Sequence, residues 1–311
     1  MDRIKTIFIG TAEFGLPAFK ALIRDENFEI ILAISQPDKP TGRKQIITPS
    51  PIKIAAEKNN LTVLQPEQII DIKEKISLLK PDLIIVAAYA QLIPEVILNL
   101  PKYGCLNLHA SLLPKYRGAA IIQAAILNGD EKTGLTIIKM DKGLDTGPIL
   151  AQTAIAIDNK DTAGTLYDKL SDLSADFLIA AIKNYLAGTI APAAQNSSLA
   201  SYAKALAKSD GLINWSKPAL TLEKFIRAMN PWPMAWTWCD GKQIKIISAQ
   251  SQPIEINSYK PGKTFKYNSG LAVQCGKDAL IIKNLQLEGK NALASEEFLR
   301  GYKDFIGNIL G

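Results

Sequence analysis

The chain has 311 residues, 47% of them hydrophobic, which is enough to bury a large core in two domains and too apolar for intrinsic disorder. Its apolar runs, such as Leu83–Ala88, are far shorter than a bilayer span, and the opening Met1-Asp2-Arg3-Ile4 has no signal-peptide pattern, so a soluble cytoplasmic protein is expected. The three cysteines, Cys105, Cys239 and Cys275, are odd in number and form no CxxC pair, which speaks against a disulfide framework and against a zinc or other metal site.

A continuous apolar run, Ile4–Ile9, closed by Gly10 and followed by a helical pattern from Leu16, reads as a buried strand, a turn and a helix. The turn itself, Gly10-Thr11-Ala12-Glu13-Phe14-Gly15, lacks the G-x-G-x-x-G order that lets a pyrophosphate approach the backbone, so NAD binding is disfavoured. Further buried strands are expected at Ile30–Ser35, Leu83–Ala87, Gly104–His109 and Leu135–Met140, with helices at Pro51–Asn59, Pro66–Leu79, Ala119–Leu127 and Asp161–Leu186. That alternation predicts an α/β fold over residues 1–188: a doubly wound, mostly parallel sheet covered by helices on both faces. Residues 189–206, poor in charge and rich in Ala, Ser and Pro, read as a linker. In residues 207–311 the strand-like runs Gln243–Ser248, Gly270–Cys275 and Ala279–Ile282, separated by turn signals, predict a small OB-like β-barrel.

Net charge is +6, and it is unevenly placed. Residues 1–199 carry 21 Lys/Arg and 21 Asp/Glu, whereas residues 200–311 carry 15 against 9. A basic module attached to a neutral one points to a polyanionic partner, nucleic acid first; a solubilising surface is the plainer alternative.

The sequence has one histidine, His109, where an apolar strand runs into a turn, and it is the only side chain whose unperturbed pKa suits proton chemistry near neutral pH. Alternation along the strand puts Asn107 on the same face, so an amide and an imidazole would project together from a strand end, where open α/β sheets bind ligands. Such a pair can stabilise the oxyanion of an acyl transfer. Asp145, in the glycine-rich loop Asp141-Lys142-Gly143-Leu144-Asp145-Thr146-Gly147-Pro148, is the carboxylate placed to orient His109, in preference to Asp141. Taken singly, a strand-capping histidine and a turn aspartate are the plainer readings. Cys105 shares the face of His109, but four residues along a strand separate their Cα atoms by about 13 Å, too far for a nucleophile–base pair.

Together, Asn107-Leu108-His109, Ser111-Leu112-Leu113-Pro114, Arg117-Gly118-Ala119 and Gly143-Leu144-Asp145-Thr146-Gly147 resemble the signature of the folate-dependent formyltransferases. Asp210-Gly211-Leu212-Ile213-Asn214-Trp215 and Asn230-Pro231-Trp232-Pro233 are similar to the tRNA-acting branch of that family, so the resemblance covers nearly the whole chain. It implies a Rossmann-like catalytic domain that moves the formyl group of 10-formyltetrahydrofolate to the free α-amine of initiator methionyl-tRNA, without a metal and as a monomer. Asn107, His109 and Asp145 match the family's catalytic residues. Ser111, Leu112, Leu113 and Pro114 match the stretch bordering its folate pocket, and Tyr89, Gln91 and Leu92 resemble a second wall.

Ala90 stands where many relatives have glycine, which predicts an ordinary backbone angle there. The long, proline-rich connection Gln36–Pro51 resembles the family's basic loop to the tRNA acceptor end, with Arg43 and Lys44 as the contacts. Of the four tryptophans in the basic domain, most are expected in its core rather than stacked on bases. Two alternatives stay open. One is transfer to a small amine such as glycinamide ribonucleotide or an amino sugar, which needs no basic second domain; the other is a non-catalytic RNA-binding protein on the same scaffold.

Overall fold

The computed structural model describes every residue except 1, 2, 43, 44, 255 and 257. It contains two compact units: Met1–Ile121, Lys132–Ala156 and Tyr167–Ala203 make the first, and Ile122–Glu131, Ile157–Leu166 and Lys204–Gly311 the second.

The strands of the first unit are β1 (Ile4–Gly10), β2 (Phe28–Ile34), the hairpin β3–β4 (Lys39–Thr41 and Ile46–Thr48), β5 (Val63–Leu64), β6 (Leu83–Ala87), β7 (Cys105–His109), β8 (Arg117–Gly118), β9 (Lys132–Lys139), β10 (Ile149–Ala156) and β11 (Tyr202–Ala203). Seven of them form one sheet in the order β10-β9-β7-β6-β1-β2-β5. From β7 to β5 every pairing is parallel; β9 runs antiparallel to β7, and β10 antiparallel to β9. The near-continuous apolar runs of β1 and β6 follow from burial on both faces. On one face Ile7, Ile9, Leu32, Ile34, Ile84, Val86 and Cys105 pack into a common core, and on the other Phe8 meets Phe19 with ring centroids 4.6 Å apart. The helix Pro51–Lys58 starts where Ser50 Oγ accepts the Lys53 N–H at 3.1 Å and Pro51 occupies the first turn, where a missing N–H costs nothing.

Three elements differ from the sequence-based expectation, each for a local reason. The helix expected over Pro66–Leu79 is reduced to Lys73–Leu79 behind a 3-10 turn at Ile69–Ile72. The amide of Gln91 takes the backbone groups that an earlier start would use, donating to Glu67 O at 3.0 Å and accepting from Ile69 N at 3.3 Å. The strand β10 is an addition to the expected set, because beyond Ile149-Leu150 it holds one large apolar residue, Ile155, among small and polar ones and gives no continuous run. Ala90 adopts φ +63° and Ala88 φ +49°, so both alanines flanking Tyr89 take the left-handed conformation; the ordinary angle expected at Ala90 is corrected, and the local turn imposes it despite the Cβ.

Of the segment 189–206, the part up to Ala203 is hydrogen-bonded along the first unit: Ala193 exchanges backbone bonds with Ile149 at 2.7 and 2.8 Å, and β11 pairs in parallel with β8. In the second unit β12 (Ala235–Cys239), β13 (Lys242–Gln252), β14 (Thr264–Tyr267), β15 (Gly270–Gln274), β16 (Ala279–Leu287) and β17 (Ala292–Ala294) form an antiparallel sheet in the order β12-β13-β16-β15-β14, with β17 beside β16. Its two edges are bridged by residues 307–311: Leu310 N–H donates to Gly262 O at 2.9 Å beside β14, and Gly311 N–H to Trp238 O of β12 at 3.1 Å. The segment Ile157–Leu166 belongs here because Arg227 Nη1 donates to Asp161 O at 2.7 Å and Gly164 N–H to Asn230 O at 3.0 Å. Trp215 is buried, its Nε1 donating to Thr237 Oγ1 at 3.0 Å, whereas Trp232 and Trp238 are exposed.

Tyr89 is 2% exposed in the first unit's core and its hydroxyl has no hydrogen-bond partner among the described residues. Removing an unsatisfied buried hydroxyl relieves its desolvation cost, so Tyr89→Phe is expected to raise stability by about 1 kcal/mol, read as a higher denaturant midpoint at unchanged m-value. A lower midpoint would contradict this reading.

Candidate active site

Strand β7 supplies the first two groups. Its pairings place Asn107 opposite Val86 of β6 and opposite Ile138 of β9, and His109 opposite Thr136, at the strand where the sheet passes from parallel to antiparallel. Asp145 comes from the loop after β9. Within that loop Asp141 Oδ1 accepts from Gly143 N at 3.0 Å and from Thr146 Oγ1 at 2.6 Å, so Asp141 organises the turn. Gly147 is required, since a Cβ there would lie 2.0 Å from Lys139 O.

The three side chains converge on one carboxylate oxygen. Asn107 Nδ2 donates to Asp145 Oδ1 at 3.4 Å, and His109 Nδ1 lies 3.6 Å from the same atom. The other oxygen, Oδ2, accepts the Gly118 N–H at 2.9 Å. His109 Nε2 is 2.9 Å from Tyr116 O; because a carbonyl only accepts, Nε2 is the donor. Both ring nitrogens thus face oxygen atoms, and neither points freely outward as strand alternation alone implies. The contacts of Asn107 and His109 to Asp145 are long, and Asn107 keeps a second amide hydrogen for another acceptor.

Other sequence-selected residues have mixed placements. Ser111 is fully buried, its Oγ donating to Lys115 O at 2.8 Å. The Ser111–Pro114 backbone is tied to β9 and β10: Thr136 Oγ1 donates to Ser111 O at 2.6 Å, Leu113 N–H to Thr136 Oγ1 at 3.1 Å, and Gln152 Nε2 to Leu113 O at 2.8 Å. The Leu113–Pro114 peptide is cis, Leu113 is buried, and Leu112 and Pro114 are half-buried. Tyr89 is buried and Gln91 is engaged with Glu67 and Ile69, whereas Leu92 is 72% exposed. Arg43 and Lys44 lie outside the described residues. Among the described residues no cluster of three or more His, Cys, Asp or Glu side chains could hold a metal ion, and no helix is long and apolar enough to cross a membrane.

Sequence reasoning missed several groups that shape this site: the Tyr116 carbonyl, the Gly118 N–H, Thr136, Gln152 and Gln195. Two of these are backbone atoms, which no residue type announces. Gln195 donates through Nε2 to Asp145 O at 2.8 Å and to Gly147 O at 2.7 Å from a stretch that reads as a linker.

The formyl transferase family model matches residues 3–182, and the model of the formyl transferase C-terminal domain matches residues 205–303. A methionyl-tRNA formyltransferase from Lachnospira eligens is 41% identical over 315 residues, covering 99% of this chain and all of that protein. The enzyme of the same name from Caldanaerobacter subterraneus is 42% identical over 310 residues, again covering 99% of this chain and all of the relative. The chain belongs to the methionyl-tRNA formyltransferase family. Among solved structures, an N-formyltransferase from Helicobacter canadensis, in complex with folinic acid and dTDP-3-aminofucose, superimposes with a TM-score of 0.67 at 21% identity, over 90% of this chain and 98% of that one. At that identity the likeness concerns the fold alone.

Burial pushes the Cys105 thiol up to about 12, against a small opposite pull from Lys139, and its Sγ lies 3.7 Å from Leu98 O. A thiol that stays protonated and covered is no nucleophile. Iodoacetamide at pH 8 is therefore expected to leave Cys105 unmodified in the folded protein, checked by mass spectrometry of the peptides; rapid labelling of Cys105 would overturn the assignment.

Proposed function

We propose that the protein transfers the formyl group of 10-formyltetrahydrofolate to the α-amine of the methionine on initiator methionyl-tRNA. The reading is carried by one observation: an amide donor, an imidazole and a carboxylate meet at the carboxyl end of β7 in a chain about 40% identical, end to end, to methionyl-tRNA formyltransferases.

The amine nitrogen attacks the formyl carbon, forming the new C–N bond and a tetrahedral adduct whose carbonyl oxygen becomes negative. Asn107 donates its second amide hydrogen to that oxygen; with Nε2–H kept on Tyr116 O, the Nδ1 proton of the doubly protonated His109 ring is shared between Asp145 Oδ1 and that oxygen, and Asp145 stabilises the ring's charge. The adduct collapses as the bond to N10 breaks, the amine proton passing through solvent to N10, so that tetrahydrofolate leaves with the atoms in balance. No covalent enzyme intermediate is needed.

The donor's pterin borders Ser111–Pro114 and the segment carrying Tyr89, Gln91 and Leu92. Ser111, Tyr89 and Gln91 have their side chains engaged or covered, so they contribute through the backbone they fix, while Leu92 and Leu112 offer apolar side-chain surface. The first unit, which includes the stretch up to Ala203, acts as the catalytic domain, and residues 207–311 act as the basic domain that holds phosphates without reading sequence. Arg43 and Lys44 serve the acceptor end of the tRNA. The protein works in the cytoplasm as a monomer.

The deciding assay offers charged initiator tRNA and glycinamide ribonucleotide in parallel, with 10-formyltetrahydrofolate at one stated salt concentration. Transfer to the tRNA alone is expected, and His109→Ala should lower kcat by about 10²- to 10³-fold, the usual loss for one oxyanion donor. Transfer to the small amine would overturn the tRNA assignment, and transfer to neither would favour the RNA-binding alternative. Log Kd for tRNA should also rise linearly with log salt as counterions are released, and a flat dependence would contradict the basic domain's role.

A further inference from the structure

Gln195 lies beyond the long helix Ala163–Leu186, in a stretch with little charge. Its Nε2 donates to Asp145 O at 2.8 Å and to Gly147 O at 2.7 Å, while its Oε1 accepts from Arg117 Nη2 at 2.8 Å and from Arg117 Nε at 3.3 Å. A guanidinium only donates and backbone carbonyls only accept, so the orientation of the amide is dictated by its surroundings. A carboxylate at this position would set its oxygens against two carbonyl oxygens. A hydrocarbon would leave both carbonyls and the guanidinium without these bonds.

The backbone held in this way is unusual. Asp145 sits at φ +56°, the left-handed region, which disfavours an L residue by roughly 1–2 kcal/mol. Arg117, only 3% exposed, completes its shell with Tyr202 Oη at 3.3 Å and Ser197 Oγ at 3.4 Å, and no carboxylate bonds to it among the described residues. The next residue, Gly118, gives its N–H to Asp145 Oδ2. The dipeptide Arg117-Gly118 therefore grips Asp145 twice, through Gln195 on its backbone and directly on its carboxylate.

We infer that Gln195, seated by Arg117, is a positioning residue that holds the Asp145 backbone so that its carboxylate meets Asn107 and His109. The inference rests on the formyl-transfer reading above for its kinetic consequence, but not for its geometric one.

The test compares the full-length protein with Gln195→Glu, which keeps a partner for Arg117 but removes the donors, and with Gln195→Met, which keeps only the length. Steady-state transfer is measured with each substrate varied in turn. The imidazole ¹H–¹⁵N signals are recorded alongside; with one histidine in the chain they report His109 alone. In both variants kcat is expected to fall about 10²-fold, the scale of a 1 Å misplacement in a reacting constellation, with the imidazole signals shifted and either KM changed by less than about threefold. A kcat within twofold of wild type with unmoved imidazole signals would overturn the inference, as would a loss confined to KM or the unfolding of both variants. An inactive wild-type protein would refute the formyl-transfer reading instead, and the imidazole signals would then decide the positioning role by themselves.

Discussion

The carboxylate of Asp145 is the group on which the site depends. Its Oδ1 faces Asn107 Nδ2 at 3.4 Å and His109 Nδ1 at 3.6 Å, and its Oδ2 is held by the Gly118 N–H at 2.9 Å. With the His109 and Asp145 side chains only 6% and 10% exposed, solvent screens these interactions weakly. One negative charge thus aligns two donors that β7 delivers to the same face but that nothing in the strand itself would orient. The fixed Gly118 donor keeps the carboxylate from rotating toward them and pins the distance.

The fold serves that carboxylate. Parallel strands β6 and β7 lie side by side, and β9 runs back antiparallel to β7 until Lys139 faces Leu106, so the loop that follows leaves from the first half of β7 and Asp145, 36 positions from His109, reaches Asn107 and His109 from there. Gly147 allows the loop to pass over Lys139 O, and the hydroxyl of Thr136 ties Ser111 and Leu113 to the same strand. His109 is therefore fixed on one side by the loop after β9 and on the other by the turn carrying Tyr116 O.

Much of this was legible in the sequence where a residue type has few alternative uses. Leu83–Ala87 is an unbroken apolar run buried on both faces, and it forms the strand with the bounds it announces. The lone histidine marks β7 because no other side chain has its unperturbed titration range, and the strand period puts Asn107 on its face. What stayed hidden depends on partners distant in the chain. The helix over Pro66–Leu79 is cut short by the amide of Gln91, and Ala90 takes a left-handed angle that its side chain disfavours. Strand β10 has no continuous apolar run, holding only Ile155 as a large apolar residue beyond Ile149-Leu150, too thin a signal beside the runs of β1 and β6. Backbone partners such as Tyr116 O and Gly118 N–H carry no sequence signature at all.

Whether the negative charge of Asp145 organises Asn107 and His109 for catalysis is read in the turnover of Asp145→Asn. Asparagine keeps the size and an oxygen for the Gly118 N–H but carries no charge to hold the imidazole. The expected outcome is a fall in kcat of about 10²- to 10⁴-fold, the range for groups acting in proton transfer, with Tm nearly unchanged. A kcat within about threefold of wild type in the folded variant would contradict it.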